Sequence, residues 1–434
     1  MHGHIQIRKA IAIAAAAAAV VAVGACGSSS GSGQDAGKLT VAWWGNQQRN
    51  ERQQKVDDMF AQQNGITIDG QYSQFADYWQ KLATNAAGRQ MPDVIAMDFA
   101  YLNQYIENGL LEPLDDYVSS GKLNLKDVDD NTVSAGRGDD GKLYALPSGV
   151  NAPAVIYNKT LLDSLGITIP DNWTLDDFQN IAREVYAKTG VRTAYGYLDN
   201  TYNLEYNLRA HDVELFKDGK LGTEDTTYYA EYFKVFENGY KEGWHLPAEL
   251  YTEITLNAIE QDPLVSFTST DRQSWCSLMF SSQVTSFASV NDSNELALAP
   301  WPSANVTKSN YVHPSMYWAV TKSSKNKDMA VKFVDFYTNN TDAADIMLTD
   351  RGIPVSSAII DHISPKLTKY EKVAADFQKA TVANSSPINP PAPAKAAEIN
   401  SRVIKEVEEQ IMYGKMDAQQ AAADFVRQSA EVLG

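Results

Sequence analysis

The sequence predicts an α/β protein in which mostly parallel sheets are flanked by helices. Short apolar runs alternate along the chain with longer stretches in which apolar side chains recur at helical spacing. Strands that alternate with helices favour parallel sheets, because two parallel strands need a crossover connection between them. With 434 residues, the chain is long enough to bury the cores of two or more domains.

Strands are predicted from short apolar runs bounded by turn residues. In chain order these runs are "LTVAWW", "GITIDG", "PDVIAM", "LYALP", "PAVIYN", "SWCSLMF", "LALAPW" and "YWAVT". The first run ends in Trp43 and Trp44, and successive side chains of a strand point in opposite directions. We therefore expect Trp43 to fill the core and Trp44 to offer a surface on which a ligand can stack.

Helices are predicted where apolar residues recur at spacings of three and four. The helix at 174–190 has clear end signals, because Thr174 and Asp177 form a capping-box pattern and Gly190 closes it. The other predicted helices span 49–63, 78–88, 326–338, 397–412 and 417–433. The proline-rich segment 385–393 is interpreted as a stiff surface crossing, since a helix pair still follows it.

The first 37 residues predict export and a flexible tether. Arg8 and Lys9 precede fourteen apolar residues, a pattern typical of a secretory signal and too short to span a bilayer comfortably. The ending "VGAC" resembles the lipobox of bacterial lipoproteins, which implies cleavage of signal residues 1–25 and a lipid on the sulfur of Cys26. The alternative is an ordinary secreted protein. The Gly/Ser-rich residues 26–37 predict a flexible spacer.

Composition narrows the possible partners. The formal net charge of −17 argues against binding to nucleic acid or to anionic lipid, and basic residues are not clustered. The two cysteines are Cys26 and Cys276, so a mature chain that carries lipid on Cys26 has no internal disulfide. We therefore expect the fold to be stabilised by burial of apolar surface.

Several segments, taken together and in order, resemble family 1 extracellular solute-binding proteins, the carbohydrate receptors of ABC importers. These segments are "YWQKLATNAAGRQMPDVIAMD", "YIENGLLEPLDDYV", "GKLYALPSGVNAPAVIYNKTLLDSLGI", "SSKNKDMAVKFVDF" and "YGKMDAQQAAADF". The resemblance covers essentially the whole mature chain. It implies two lobes joined by crossover strands, with an oligosaccharide held in the cleft between them. The implied lobes are 38–148 plus 318–350, and 149–317 plus 351–434.

That family also implies partners and a location. The expected partners are an oligosaccharide, the transmembrane subunits of an ABC permease, and the membrane through the lipid on Cys26. We expect a monomer that binds no nucleic acid and needs no cofactor. It is expected on the outer face of a Gram-positive cell membrane.

Candidate ligand contacts follow the carboxyl ends of predicted strands, where ligands bind in open α/β sheets. A sugar suits aromatic surfaces and planar polar groups. The candidates are Trp44, Asn46, Phe75, Asp98, Phe99, Asn151, Ser282, Gln283, Tyr317 and Arg351. Alternatives stay open for three of them: Asp98 as a helix N-cap, Tyr317 as a wedge between the lobes, and Arg351 as a brace of the hinge.

The alternative function classes are a surface-anchored glycan-degrading enzyme and a glycan-binding adhesin. A glycosidase needs two carboxylates held across the scissile bond, and the many acidic residues here single out no pair. The sequence has no nucleophile-elbow serine, zinc-protease motif or phosphate-binding loop. A calcium-loop-like start at Asp127 lacks the turn glycine, which Thr132 replaces, and ends at Gly138 instead of glutamate. We therefore expect neither catalysis nor a metal site.

Overall fold

The computed structural model describes residues 37–45, 47–196, 200–254, 259–390, 392–393 and 395–434. The predicted signal and tether, with Cys26, and the candidate contact Asn46 lie outside the described residues. Within the described ranges, no helix has both the length and the apolar character needed to cross a membrane.

All eight predicted apolar runs form strands, and a short hairpin is added. The strands are β1 Lys38–Trp44, β2 Thr67–Ser73, β3 Val94–Met97, β4 Ala145–Asn151, β5 Pro153–Asn158, β6 Phe216–Lys217, β7 Lys220–Leu221, β8 Cys276–Phe280, β9 Leu296–Ala299 and β10 His313–Val320. The hairpin β6–β7 was not predicted, because a strand of two residues is too short to show an alternation of apolar and polar side chains.

The helices surround these strands. They are α1 Gln47–Asn64, α2 Phe75–Ala87, α3 Phe99–Glu107, α4 Asp115–Ser119, α5 Asp130–Ser134, α6 Lys159–Leu165, α7 Leu175–Thr189, α8 Asn200–Arg209, α9 Thr226–Glu242, α10 Ala248–Glu253, α11 Val284–Val290, α12 Val306–Ser309, α13 Lys327–Asn339, α14 Thr341–Met347, α15 Ser357–Ile363, α16 Lys369–Val382, α17 Ala396–Glu398, α18 Lys405–Met412 and α19 Ala418–Leu433. The predicted capping box of α7 is confirmed: Thr174 and Asp177 bond reciprocally, and Gly190 ends the helix with a φ of 75°.

The first sheet has five strands in the order β2-β1-β3-β10-β4. Strand β1 runs parallel to both β2 and β3, whereas β10 is antiparallel to its neighbours β3 and β4. The prediction of a mostly parallel sheet is therefore confirmed for this half of the molecule. Its apolar core contains strand residues such as Val41, Ile95 and Ala319, all fully buried.

The second sheet has three strands in the order β8-β5-β9, and here the expected parallel pairing is wrong. Strand β5 is antiparallel to both of its neighbours. The reason is topological: β5 follows β4 after the single residue Ala152, so it enters as a crossover strand and not as the return strand of a β-α-β unit. A separate apolar core packs around this sheet and its helices.

Three chain segments run side by side where the two sheets meet. These are the end of β4, the start of β10 and the segment around Arg351. The end of β4 pairs with β10, and an isolated bridge from Val150 to Ile353 joins it to the third segment. Gly149 lets the backbones approach closely, since a Cβ there would lie 2.1 Å from the Arg351 carbonyl oxygen. Gly352 adopts a φ of 90°, a conformation that favours glycine. The lobe boundaries given above stay a prediction.

Candidate ligand-binding cleft

A cavity of about 290 Å³ lies between side chains that pack on the two different cores. Phe99 and Ala100 at the start of α3 line it from the first lobe. The second lobe contributes the remaining lining residues, which are Thr201, Tyr202, Glu205, Phe216, Tyr311, Ile388, Asn389, Pro390, Ala392, Pro393, Ala396 and Asn400. A larger groove of about 620 Å³ between β2 and α2 is lined only by residues between Ala42 and Pro92.

Helix α3 places Phe99 at the cavity because it begins directly after β3. The helix is capped by Asp98, whose side chain accepts a hydrogen bond of 2.9 Å from the Ala100 backbone N–H. Burial raises the pKa of the Asp98 carboxyl, and the bond from Ala100 only partly offsets this shift. The structure thus gives Asp98 the capping role that was the open alternative, one residue away from the cavity lining.

Aromatic rings gather around His313, the first residue of β10. The centroid of its ring lies 5.0 Å from that of Phe280, 5.4 Å from that of Phe99 and 5.6 Å from that of Tyr202. Burial among these rings lowers the pKa of His313 to about 4, so its imidazole is neutral at physiological pH. Rings from both lobes and from a crossing strand therefore meet at one point.

Four buried polar atoms near this ring cluster have no hydrogen-bond partner among the described residues. They are Asn151 Oδ1, Tyr311 Oη, His313 Nε2 and Asn389 Nδ2. Asn151 and His313 are paired across β4 and β10, and Tyr311 and Asn389 line the cavity. Buried polar atoms left unpaired cost about 1–3 kcal/mol each. Such a concentration is typical of a surface that bonds to a ligand or to water.

Arg209 on α8 holds the proline-rich segment 385–393 against the cavity. Its Nε donates to the Ser309 carbonyl at 3.0 Å, and its Nη1 donates to Asn389 Oδ1 at 2.6 Å. Its Nη2 donates to the Pro387 carbonyl at 2.9 Å and also to Ser386. No described residue of 385–393 is buried, so its interpretation as a surface crossing is confirmed. The buried guanidinium of Arg209 fixes this segment beside the cavity, and several of its residues line the cavity.

The two tryptophans that end β1 are both buried. Trp43 is fully buried, and its indole N–H donates to Asn50 Oδ1 at 3.0 Å, as expected of a core residue. Trp44 is 8 % exposed and packs against Phe75, whose ring centroid is 5.4 Å away. Phe75, at 44 % exposure, presents the accessible aromatic surface at this end of the strand. The indole of Trp44 thus supports Phe75 from behind.

Two other predicted contacts lie in the protein interior. Tyr317 is fully buried, and its hydroxyl donates to the Ala135 carbonyl at 2.9 Å. Arg351 is 3 % exposed; its Nη2 donates to Gln53 at 3.0 Å, and its guanidinium lies 5.0 Å from the ring centroid of Trp318. Both side chains are engaged with the protein interior, and neither lines the cavity.

Ser282 and Gln283 follow β8, as predicted, in a 3₁₀ turn over Ser281–Gln283. Gln283 accepts a hydrogen bond of 3.0 Å from the Phe280 backbone N–H, so its side chain caps its own turn. Neither residue lines the cavity. Their neighbour Phe280 joins the ring cluster instead.

Sequence reasoning found Phe99 and Asn151 but missed most of the second lobe's contribution. The missed residues are Tyr202, Glu205, Tyr311, His313 and Asn389. A usable signal was the position of Tyr311 and His313 at the start of β10, a strand that crosses between the lobes.

A two-lobed α/β fold with an aromatic and polar cleft between its lobes is the architecture of a solute-binding protein. The chain belongs to the bacterial extracellular solute-binding protein family, whose model matches residues 55–375. The solved structure of an extracellular solute-binding protein family 1 member from Alicyclobacillus acidocaldarius has 26% sequence identity and a TM-score of 0.80. That similarity covers 91% of this chain and 98% of the other.

Relatives of known sequence agree with this assignment. A maltotriose-binding protein from Pyrococcus abyssi is 24% identical over 342 residues, which cover 75% of this chain and 69% of that protein. A binding protein from Brucella abortus is 28% identical over 200 residues, or 44% of this chain. The chain spans about half the length of that relative, 47%. The family and these relatives are binding proteins, and the chain is accordingly a solute-binding protein.

Proposed function

We propose that the protein captures a sugar in the cleft between its lobes and delivers it to the permease of an ABC importer. The observation that carries this proposal is the group of four unpartnered polar atoms beside the ring cluster. Aromatic rings suit the apolar faces of a pyranose, and neutral groups that donate or accept suit its hydroxyls. Its similarity to a maltotriose-binding protein supports the same ligand class.

The ligand we propose is an oligosaccharide that extends beyond the cavity. Exposed aromatic side chains continue along the end of the first sheet, where Tyr72 is 53 % exposed and Phe75 is 44 % exposed. Both lie at the carboxyl end of β2, on the same edge of the sheet as Phe99. Further sugar rings could contact this surface while one ring occupies the cavity.

Closure of the lobes would couple binding to delivery. The proposed lobes are 38–148 plus 318–350, and 149–317 plus 351–434, with the crossing segments around Gly149 as the hinge. A ligand that touches Phe99 on one lobe and Tyr311 on the other favours the closed state, because only that state makes both contacts. A permease can then distinguish the loaded receptor from the empty one.

We also propose a lipid anchor on Cys26, which holds a monomeric receptor at the outer face of the cell membrane. The tether that follows would let the binding domain reach the permease. Two acyl chains give stable anchoring, whereas one is marginal.

Isothermal titration calorimetry and thermal denaturation against a panel of mono- and oligosaccharides test the binding proposal. A sugar that binds should stabilise the fold by about 2.7 kcal/mol at a hundredfold excess over its dissociation constant. A panel that produces neither heat nor stabilisation would contradict the proposal. Release of reducing ends from an oligosaccharide would instead favour the glycan-degrading enzyme.

A further inference from the structure

Arg209 fixes the orientation of the Asn389 amide beside the cavity. The Oδ1 atom of Asn389 accepts a hydrogen bond of 2.6 Å from Nη1 of Arg209. In the reversed orientation the N–H groups of the amide would face the N–H groups of the guanidinium, and two sets of donors would meet. The atom left for a ligand is therefore Nδ2, which has no hydrogen-bond partner among the described residues, on a side chain that lines the cavity.

Arg209 is itself held on several sides. It is 5% exposed, and its Nε donates to the Ser309 carbonyl at 3.0 Å while its Nη2 donates to the Pro387 carbonyl at 2.9 Å. The central carbon of its guanidinium lies 5.0 Å from the ring centroid of Tyr311. Glu205, one turn earlier on α8, interacts electrostatically with this guanidinium. A planar guanidinium with its nitrogens engaged in this way has a fixed direction, so the donor that it presents to the amide is fixed as well.

The segment that carries Asn389 has further anchors that do not involve Arg209. The backbone N–H of Ser386 donates to the Asn310 carbonyl at 2.9 Å, and its Oγ donates to the Lys308 carbonyl at 2.7 Å. Loss of the guanidinium should therefore let the Asn389 amide rotate while these bonds keep the backbone of the segment in place.

We infer that Arg209 is a positioning residue, which turns the amide nitrogen of Asn389 to the sugar, so that one group of the ligand must accept a hydrogen bond. The inference rests on the proposed function, since it describes how that same site selects its ligand. An amide nitrogen only donates, whereas an amide oxygen only accepts. At this position a hydroxyl or a fluorine of the ligand can act as the acceptor, and a hydrogen cannot.

Calorimetry first identifies a sugar and the hydroxyl that contacts Asn389. The panel is glucose, galactose, mannose, maltose, lactose and cellobiose, and the tightest ligand is carried forward as its monodeoxy and monofluoro analogues. The relevant hydroxyl is the one whose removal weakens binding to the wild-type protein about two- to tenfold but does not weaken binding to Asn389→Ala. At that position the fluoro analogue should bind the wild-type protein about twofold or more tightly than the deoxy analogue.

Three variants then test the role of Arg209. Asn389→Asp keeps the shape of the side chain and an acceptor for Arg209 but replaces the donor with a second acceptor, so it should bind the deoxy analogue more tightly than the fluoro analogue. Arg209→Met frees the amide and should narrow the preference for fluorine.

Arg192→Met is the matched control. The Nη1 atom of Arg192 donates to two backbone carbonyls at 2.6 and 3.0 Å, and its guanidinium lies 5.3 Å from the ring centroid of Tyr186. Arg192 does not line the cavity. This substitution should leave the preference unchanged, whatever its effect on the melting temperature.

The inference is overturned if a sugar binds but no hydroxyl is coupled to Asn389, or if the wild-type protein binds the fluoro analogue no more tightly than the deoxy analogue. It is also overturned if Arg209→Met keeps the full preference or if Arg192→Met narrows it equally. Should Arg209→Met fail to fold, Asn389→Asp decides, and an unchanged preference in that variant overturns the inference. In each of these cases sugar binding persists and the proposed function stands. If none of the sugars binds, the proposed function fails, and the inference fails with it.

Discussion

Removing the hydroxyl of Tyr311 should separate ligand binding from the stability of the fold. This side chain is 2% exposed and lines the cavity, and its hydroxyl has no partner among the described residues. Tyr311→Phe keeps the ring and its position 5.0 Å from the Arg209 guanidinium. The substitution therefore removes only the group that we expect to bond to the ligand.

The size of the effect follows from what the hydroxyl does in each state. A buried hydroxyl without a partner carries a desolvation cost of about 1–3 kcal/mol, so its removal should leave the free energy of unfolding unchanged or raise it. A hydrogen bond to a sugar hydroxyl contributes about 0.5–1.5 kcal/mol, so affinity should fall roughly two- to tenfold. Urea denaturation measures the first quantity and calorimetry the second.

Tyr206 provides the matched control. It is also a fully buried tyrosine of the second lobe, but its hydroxyl donates to Asn310 Oδ1 at 2.6 Å and it does not line the cavity. Tyr206→Phe should lower the free energy of unfolding by about 1–3 kcal/mol and leave affinity unchanged. The reasoning is refuted if Tyr311→Phe loses stability as Tyr206→Phe does and still binds sugar with full affinity.

Three further predictions concern the hinge, a buried carboxyl and the anchor. Gly149→Ala should lower the free energy of unfolding by about 1–3 kcal/mol in urea denaturation, because its Cβ would lie 2.1 Å from the Arg351 carbonyl oxygen. The control is Gly37→Ala, since Gly37 has open space around it, and equal losses of stability in the two variants would contradict the prediction. Burial raises the pKa of Asp262 from 3.8 to about 7, so this group makes the fold less stable as pH rises between those values. Asp262→Asn should remove that loss of stability, on the order of 4 kcal/mol, and an unchanged pH profile of melting would argue against it. Cys26→Ser should move the protein from the membrane fraction to the medium, and retention in the membrane fraction would refute the lipid anchor.

Local signals in the sequence predicted the elements well. Helix ends are set by a few neighbouring residues, so the Thr174 capping box was readable from spacing alone. Residues directly after strands were also readable, and Phe99 was found because it follows β3. These features depend on contacts between residues close in sequence.

The facing of the tryptophans was harder to predict. Alternation along a strand distinguishes core from surface only when one face of the sheet is exposed. Strand β1 lies inside a sheet that is covered on both faces, so both Trp43 and Trp44 are buried. The expectation that Trp44 forms an open stacking surface assumed that one face of this sheet is exposed to solvent, whereas both faces are covered.

The second lobe's part of the site depends on contacts between residues far apart in the chain. The bond from Arg209 to Asn389 joins residues 180 positions apart, and with the bonds from Arg209 to Ser386 and Pro387 it holds the proline-rich segment beside the cavity. Tyr311 and His313 become neighbours of Phe99 only through the crossing strand β10. These residues lie in separate parts of the sequence, so only their tertiary packing shows that they belong to one site.

The central claim is that a sugar closes the two lobes around the cleft. A measurement of the distance between the lobes, with and without the sugar, tests this claim directly. Spin labels can be placed on cysteines at exposed Lys55 on α1 and Gln419 on α19, since the remaining Cys276 is buried and Cys26 can be replaced by serine. Pulsed electron paramagnetic resonance then gives the distribution of distances between the two labels, with and without a saturating sugar identified by calorimetry. We predict that the sugar shifts the distribution to a shorter, narrower one. A sugar that binds by calorimetry and leaves the distribution unchanged would contradict the account.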